Sequence, residues 1–175
     1  MFLLHPTFCY EANYPLSNKP PSKRYLASKL ALLIGALMTI YVVHKDKWIP
    51  IIEAMKTANQ IQIYTAFYLP AMTVYFVGFY TLFDIAPNFY AELSGLQDRQ
   101  FYQDFWNSSN FDEYARKWNK LVHEFLYRHF YLEYLINYKC TVYQSSIMTF
   151  AFSTLFHELC FVSVFRAFTP YLTTM

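Results

Sequence analysis

The chain has 175 residues, of which 55% are apolar, 22% aromatic and only 15% charged. That balance excludes intrinsic disorder, which needs low hydrophobicity and high charge, and three glycines argue against collagen-like and flexible low-complexity classes. Fourteen Lys and Arg face twelve Asp and Glu, so no basic field marks a nucleic-acid partner.

In chain order, Pro20-Pro21 and the Asn, Ser and Lys residues around it mark a loop. Residues 25–43 follow, nineteen residues with the single charge Lys29, and are predicted to form a first transmembrane helix. A lysine near the start of such a helix can snorkel to the interface. Residues 61–83 carry no charge over 23 positions and form the clearest span. Pro70 and Gly78 inside it are compatible with a membrane helix, where neighbours satisfy freed backbone groups. Residues 92–139 read as an amphipathic region. Asn107-Ser108-Ser109 is a sequon, read here as a turn leading into a helix that starts near Phe111. From Trp118 the apolar positions 121, 122, 125, 126, 130 and 132 follow helical spacing. Residues 141–165 are a third span whose ionisable groups are His157 and Glu158. The expected architecture is all-α, a polytopic transmembrane helix bundle embedded in a lipid bilayer.

If the spans alternate, one side holds ten basic residues and the other four: Lys19, Lys23, Arg24, Lys29, Arg99, Arg116, Lys117, Lys120, Arg128 and Lys139 against Lys45, Lys47, Lys56 and Arg166. The positive-inside rule then places the amino end and the stretch 84–140 in the cytosol. Met1–Leu4 offers no secretory h-region, so the first span is expected to act as the insertion signal. Cys9, Cys140 and Cys160 are odd in number and widely spaced, which gives neither a disulfide framework nor a zinc site.

Four groups of residues could carry chemistry. His157 lies well inside an apolar run, where ionisable groups are expensive and usually face a bundle interior or a wet cavity. A neutral imidazole in such a setting is a good general base; the alternative is a buried histidine bonded to a backbone carbonyl, and the residues alone leave the two even. Glu158, about 100° further round the helix, is read as a partner of Arg166 or of a neighbouring helix. Ser153 shares the face of His157, but no third group completes a nucleophile pair, so it reads as a packing residue. His123 and His129 are six positions apart and do not make a metal site, whereas Asn119 and His123 are four apart and share a face. In Phe101-Tyr102-Gln103-Asp104-Phe105-Trp106-Asn107, an interfacial aromatic belt accounts for Tyr102, Phe105 and Trp106 but not for Asp104 and Asn107.

Together these elements resemble the membrane-bound O-acyltransferase superfamily, in its sterol and diacylglycerol O-acyltransferase branch. Phe101–Asn107 is similar to the branch signature Phe-Tyr-x-Asp-Trp-Trp-Asn, with Phe105 in place of the first Trp. Residues 5–15 resemble its Pro-Thr and Tyr-Pro segment, Ala91-Glu92 its lead-in, Trp118-Asn119 with His123 its Trp-Asn-x-x-x-His element, and Phe156-His157-Glu158 its terminal His-Glu. Tyr114-Ala115-Arg116-Lys117-Trp118-Asn119 and Met148-Thr149-Phe150 resemble the sterol enzymes, the latter those of fungal type.

The resemblance implies transfer of a fatty acyl group from acyl-CoA to the 3-hydroxyl of a sterol in the endoplasmic reticulum membrane. It assigns His157 as general base and Asn119 to the acyl donor or the oxyanion. Tyr102, Asp104, Trp106, Asn107 and His123 become substrate-binding candidates. No metal or prosthetic group is expected, and acyl-CoA is a co-substrate. Phe105 lacks the indole N–H that Trp would donate. Family members carry further helices on both sides, so a fragment or reduced homologue is expected, acting as a homo-oligomer or with a longer relative. The competing expectations are a diacylglycerol O-acyltransferase and a truncated non-catalytic membrane subunit.

Overall fold

The computed structural model describes residues 5–166, and these are almost wholly helical, with a single isolated bridge, Leu16 to Leu96, and no named strand among them. The chain divides into two units, Met1–Tyr102 and Gln103–Met175.

In the first unit, helix α1 (Lys23–Ala54) starts where the Ser22 side chain accepts the Tyr25 N–H. Helix α2 (Gln60–Ser94) starts with a reciprocal cap between Asn59 and Gln62. Each contains one wide π-helical turn, His44–Trp48 in α1 and Thr81–Ile85 in α2. Both have a proline-based cause. A proline inside a helix lacks its N–H, and its ring collides with the carbonyl four residues back. The wide turns contain those residues, Asp46 before Pro50 and Phe83 before Pro87, and a one-residue expansion relieves the collision while the helix runs on. Helix α2 ends at Gly95, whose φ of 74° lies in the left-handed region that a glycine adopts without strain.

The two helices run antiparallel. Ser22 meets Glu92, Lys29 meets Asp84, and the Trp48 and Phe67 rings stack at 5.4 Å, so positions advance along α1 as they retreat along α2. The segment before α1 is tied to the segment after α2: Ser17 N–H donates to Gly95 O at 2.8 Å and Gln97 N–H to Pro15 O at 2.9 Å. Cys9, Ile85, Ala91, Leu96 and Phe101 form the small buried core of this unit. Along the long helices Leu30, Ile34, Met38, Ile61 and Leu69 point outward. Outward apolar faces are the inverse of a helix lying on a water-soluble core.

The predicted spans 25–43 and 61–83 lie within α1 and α2, but both helices run further. The 32 residues of α1 and 35 of α2 correspond to about 48 and 52 Å, against roughly 30 Å of hydrocarbon. Asp84 looked like the end of the second span. It does not end the helix, because its charge is paired with Lys29 at 2.7 Å.

In the second unit, α3 (Phe111–Trp118) is capped by Asn110, whose side chain accepts the Glu113 N–H. Helix α4 follows as Lys120–Leu126, a wide turn Tyr127–Tyr131, and Leu132–Ile136. The continuous helix predicted from Trp118 is thus broken at Asn119, whose φ of −146° and ψ of 82° are not helical. Helix α5 (Val142–Phe165) matches the third predicted span and opens with a reciprocal cap between Thr141 and Gln144. Phe130 of α4 stacks on Phe152 of α5 at 3.8 Å. The long helices of the two units supply three segments long and apolar enough to cross a membrane.

Candidate active site

His157 lies in α5, at the end of its longest uncharged stretch. Its Nδ1 is 2.6 Å from the backbone carbonyl oxygen of Ser153, one turn earlier. A carbonyl oxygen only accepts, so Nδ1 carries the hydrogen and donates it. The lone pair is therefore on Nε2, the outer nitrogen of the ring. Among the described residues the imidazole is on the exposed side of α5, while Glu158, the next residue, is buried at 5% exposure. The partner on Ser153 is its carbonyl rather than its hydroxyl, which leaves no Ser–His nucleophile pair.

Asn119 occupies the break between α3 and α4 and is 7% exposed. Its Oδ1 accepts the Val122 N–H at 3.2 Å, capping α4, and its carbonyl accepts the His123 N–H at 3.0 Å. Its amide nitrogen donates to no described residue. The first turn of α4 therefore still brings His123 onto the side of Asn119, as the four-residue spacing required. The His123 ring is half-buried and lies nearly parallel to Tyr127 at 6.2 Å. Burial pushes its imidazole below the ordinary histidine value, against the pull of the Glu124 carboxylate and with help from Arg116.

The aromatic turn is pinned to α3. Gln103 N–H donates to Lys117 O at 2.8 Å, and Lys117 Nζ lies 3.4 Å from Asp104 Oδ1 and 2.7 Å from Glu113 Oε1. The other oxygen of Glu113 accepts both the N–H and the hydroxyl of Ser109, each at 2.9 Å. Lys117 and Ser109 together hold the Glu113 carboxyl at about 2, and Glu113 in turn raises the Lys117 ammonium. Phe105 rests edge-on against Tyr114 at 5.7 Å, a contact that uses the ring and no N–H. Trp106 is 71% exposed and Asn107 lies beside it on the surface. Asp104, Trp106, Asn107, Asn119, His123 and His157 all belong to the second unit.

Tyr102 belongs to the first. Its ring lies edge-on to Phe79 at 5.7 Å. Burial raises its phenol above the ordinary value, and the nearby Asp84 carboxylate adds to this, so the hydroxyl keeps its proton at neutral pH. Around it is a polar seam that the hydropathy pattern did not reveal. Lys29 and Asp84 pair at 2.7 Å with side chains 11% and 14% exposed, so Lys29 does not snorkel. Asn88 Nδ2 donates to Asp84 Oδ1 at 3.2 Å. One signal was available: lone charges of opposite sign stand at the edges of two consecutive apolar runs. No group of three metal-ligating side chains occurs among the described residues.

The family model of the membrane-bound O-acyltransferase family matches residues 1–175. The chain is 33% identical to sterol O-acyltransferase 1 of Saccharomyces cerevisiae, over 98% of its own length and 30% of that protein's. It is 29% identical to sterol O-acyltransferase 2 of Candida albicans, over 98% and 30%, and 28% identical to sterol O-acyltransferase 1 of Mus musculus, over 98% and 33%. The chain thus spans about a third of the length of these relatives. With its all-helical build, its apolar spans and the match along its whole length, the chain belongs to the membrane-bound O-acyltransferase family.

Proposed function

We propose that this chain carries the acyl-transfer centre of a sterol O-acyltransferase of the endoplasmic reticulum membrane. The observation that supports the reading is the exposed imidazole of His157 on α5. Its Nδ1 bond to the Ser153 carbonyl is the bond that the structural alternative also expects, but the ring is exposed rather than buried and Nε2 is left as a proton acceptor. A sterol hydroxyl is a very weak acid and needs a base as it attacks the thioester carbonyl of acyl-CoA. Nε2 takes that proton as the O–C bond forms. When the C–S bond breaks, the imidazolium returns the proton to the CoA thiolate, so histidine is restored and steryl ester and free CoA leave. A positioned base of this kind contributes about 10²–10⁴-fold.

The amide nitrogen of Asn119, without a described acceptor, supplies a hydrogen bond to the acyl carbonyl oxygen as it becomes an oxyanion. Asp104, Trp106 and Asn107, on the turn fixed by Lys117 and Glu113, shape the aqueous entrance for acyl-CoA, with His123 as a further contact; Tyr102 is read as an acyl-CoA contact of the first unit. The sterol and the acyl chain arrive through the lipid, and the CoA head stays in water. The sterol acceptor is favoured over diacylglycerol because the relatives named above are sterol O-acyltransferases.

The test is expression in cells that make no steryl ester, with labelled oleate. The unaltered chain gives labelled steryl ester, and His157→Ala lowers it by about 100-fold or more. Equal ester from both removes His157 from the mechanism. Label entering triacylglycerol when diacylglycerol competes with sterol overturns the acceptor. No ester from the unaltered chain, with a longer acyltransferase co-purifying, replaces catalysis by a subunit role.

A further inference from the structure

Glu92 lies near the end of α2 and uses both carboxylate oxygens. Oε1 accepts the backbone N–H of Ser22, the residue that caps α1, at 2.7 Å. Oε2 accepts from the Arg99 guanidinium at 2.7 Å. Arg99 uses a second nitrogen, Nε, to reach the carbonyl of Leu96 at 3.2 Å, and its guanidinium carbon lies 5.5 Å from the centre of the Tyr25 ring. Four pieces of the chain therefore meet at one ion pair: the start of α1, its first turn, the end of α2, and the segment that leaves it.

The segment after Gly95 makes no regular ladder beyond the bridge at Leu96. What fixes it otherwise is the bond from Gln97 N–H to Pro15 O at 2.9 Å, near its start, and burial of Leu96 at 5% and Phe101 at 3% exposure, with Arg99 between them. Gln97, Asp98 and Gln100 point to the surface. Tyr102 follows directly, placed against Phe79. The backbone bond fixes the start of the segment and the two apolar anchors set its depth, but beyond Gln97 they allow it to roll. A planar guanidinium bonded to a carboxylate and to the segment's own carbonyl removes that freedom, because its donors point in fixed directions. A lysine could replace the charge but not both bonds.

We propose that Glu92 and Arg99 are positioning residues that lock the Leu96–Tyr102 segment to the α1–α2 hairpin and, through Tyr102, set the affinity for the acyl donor rather than the rate of the chemical step. This rests on the reading of Tyr102 as an acyl-CoA contact. Losing one charge-assisted bond at such a tie corresponds to about a tenfold change in an equilibrium constant.

The experiment compares the unaltered chain with Glu92→Gln, Arg99→Gln, Arg99→Lys and the Glu92→Gln/Arg99→Gln pair in membranes. It measures binding of a non-hydrolysable acyl-CoA analogue, KM and kcat for acyl-CoA, and thermal unfolding as a control for folding. Each Gln variant is expected to weaken analogue binding and raise KM about tenfold, with kcat little changed. The pair should be no worse than the weaker single variant, and Arg99→Lys should recover part of the loss. In a Tyr102→Ala background Arg99→Gln should add nothing. Unchanged affinity, a fall in kcat alone, or full additivity with Tyr102→Ala overturns the proposal. An unaltered chain that binds the analogue without turning it over sinks the acyltransferase reading and leaves the tie measurable from binding. An unaltered chain that binds no analogue overturns the proposal itself.

Discussion

Asn119 has two polar atoms with separable roles. Its oxygen caps α4 through the Val122 N–H, and its nitrogen is free of any described acceptor. Aspartate caps a helix about as well as asparagine but has no amide hydrogen to donate. Asn119→Asp keeps the cap, so its stability is expected to approach that of the unaltered chain as falling pH protonates the poorly solvated carboxylate, while kcat at neutral pH is lowered by about 10²–10³-fold. Asn119→Ala should lose both, with about 1 kcal/mol of stability gone as well. Unfolding curves and rates on the same two variants separate the roles. His123 makes a prediction about pH. Its folded value lies below the ordinary 6.5, because burial disfavours the charged ring. Below pH 6.5 the unfolded chain binds a proton that the folded chain does not, so stability falls as pH drops through that window and is complete above it. His123→Gln should flatten the dependence of the unfolding temperature on pH between about 5 and 7.

At the scale of helices, charges sit where apolar residues are expected. Lys29 and Asp84 join α1 to α2 with little exposure. Removing one partner of such a pair leaves an uncompensated charge, whereas replacing both with apolar residues of similar size is close to neutral. Asp84→Leu is thus expected to cost about 3 kcal/mol, and Lys29→Met with Asp84→Leu to recover most of it. Equal stabilities of single and double variants in thermal unfolding would show that the pair does not couple the helices. The same pair explains what the sequence could and could not disclose. Long uncharged runs made the three apolar helices readable, and the turn at Asn107-Ser108-Ser109 made the helix start near Phe111 readable. Their ends were not, because a charge was read as leaving the membrane when it was meeting a partner 55 positions away. The wide turns before Pro50 and Pro87 were equally hidden, since they let the helices continue past residues that usually stop them. Asn119 broke a helix whose apolar spacing ran straight through it, because its side chain offered a better cap than a helical position.

At the scale of the molecule, the chain spans about a third of its relatives and presents broad apolar faces. Motif order made the family legible, and the ionisable residue at 157 stood out in its apolar run. Which side of the helix that residue faces was beyond the sequence. Neighbours one position apart differ by about 100°, and the structure puts Glu158 inward and His157 outward. The proposed chemistry depends on a proton acceptor at Nε2 of His157, held by the Ser153 carbonyl through Nδ1. Solid-state magnetic resonance of the chain in bilayers, with nitrogen-labelled histidine assigned by loss of one signal set in His157→Ala, reads that arrangement directly. The neutral His157 ring is expected to carry its hydrogen on Nδ1 and leave Nε2 bare; a neutral ring carrying its hydrogen on Nε2 would sink the proposed chemistry.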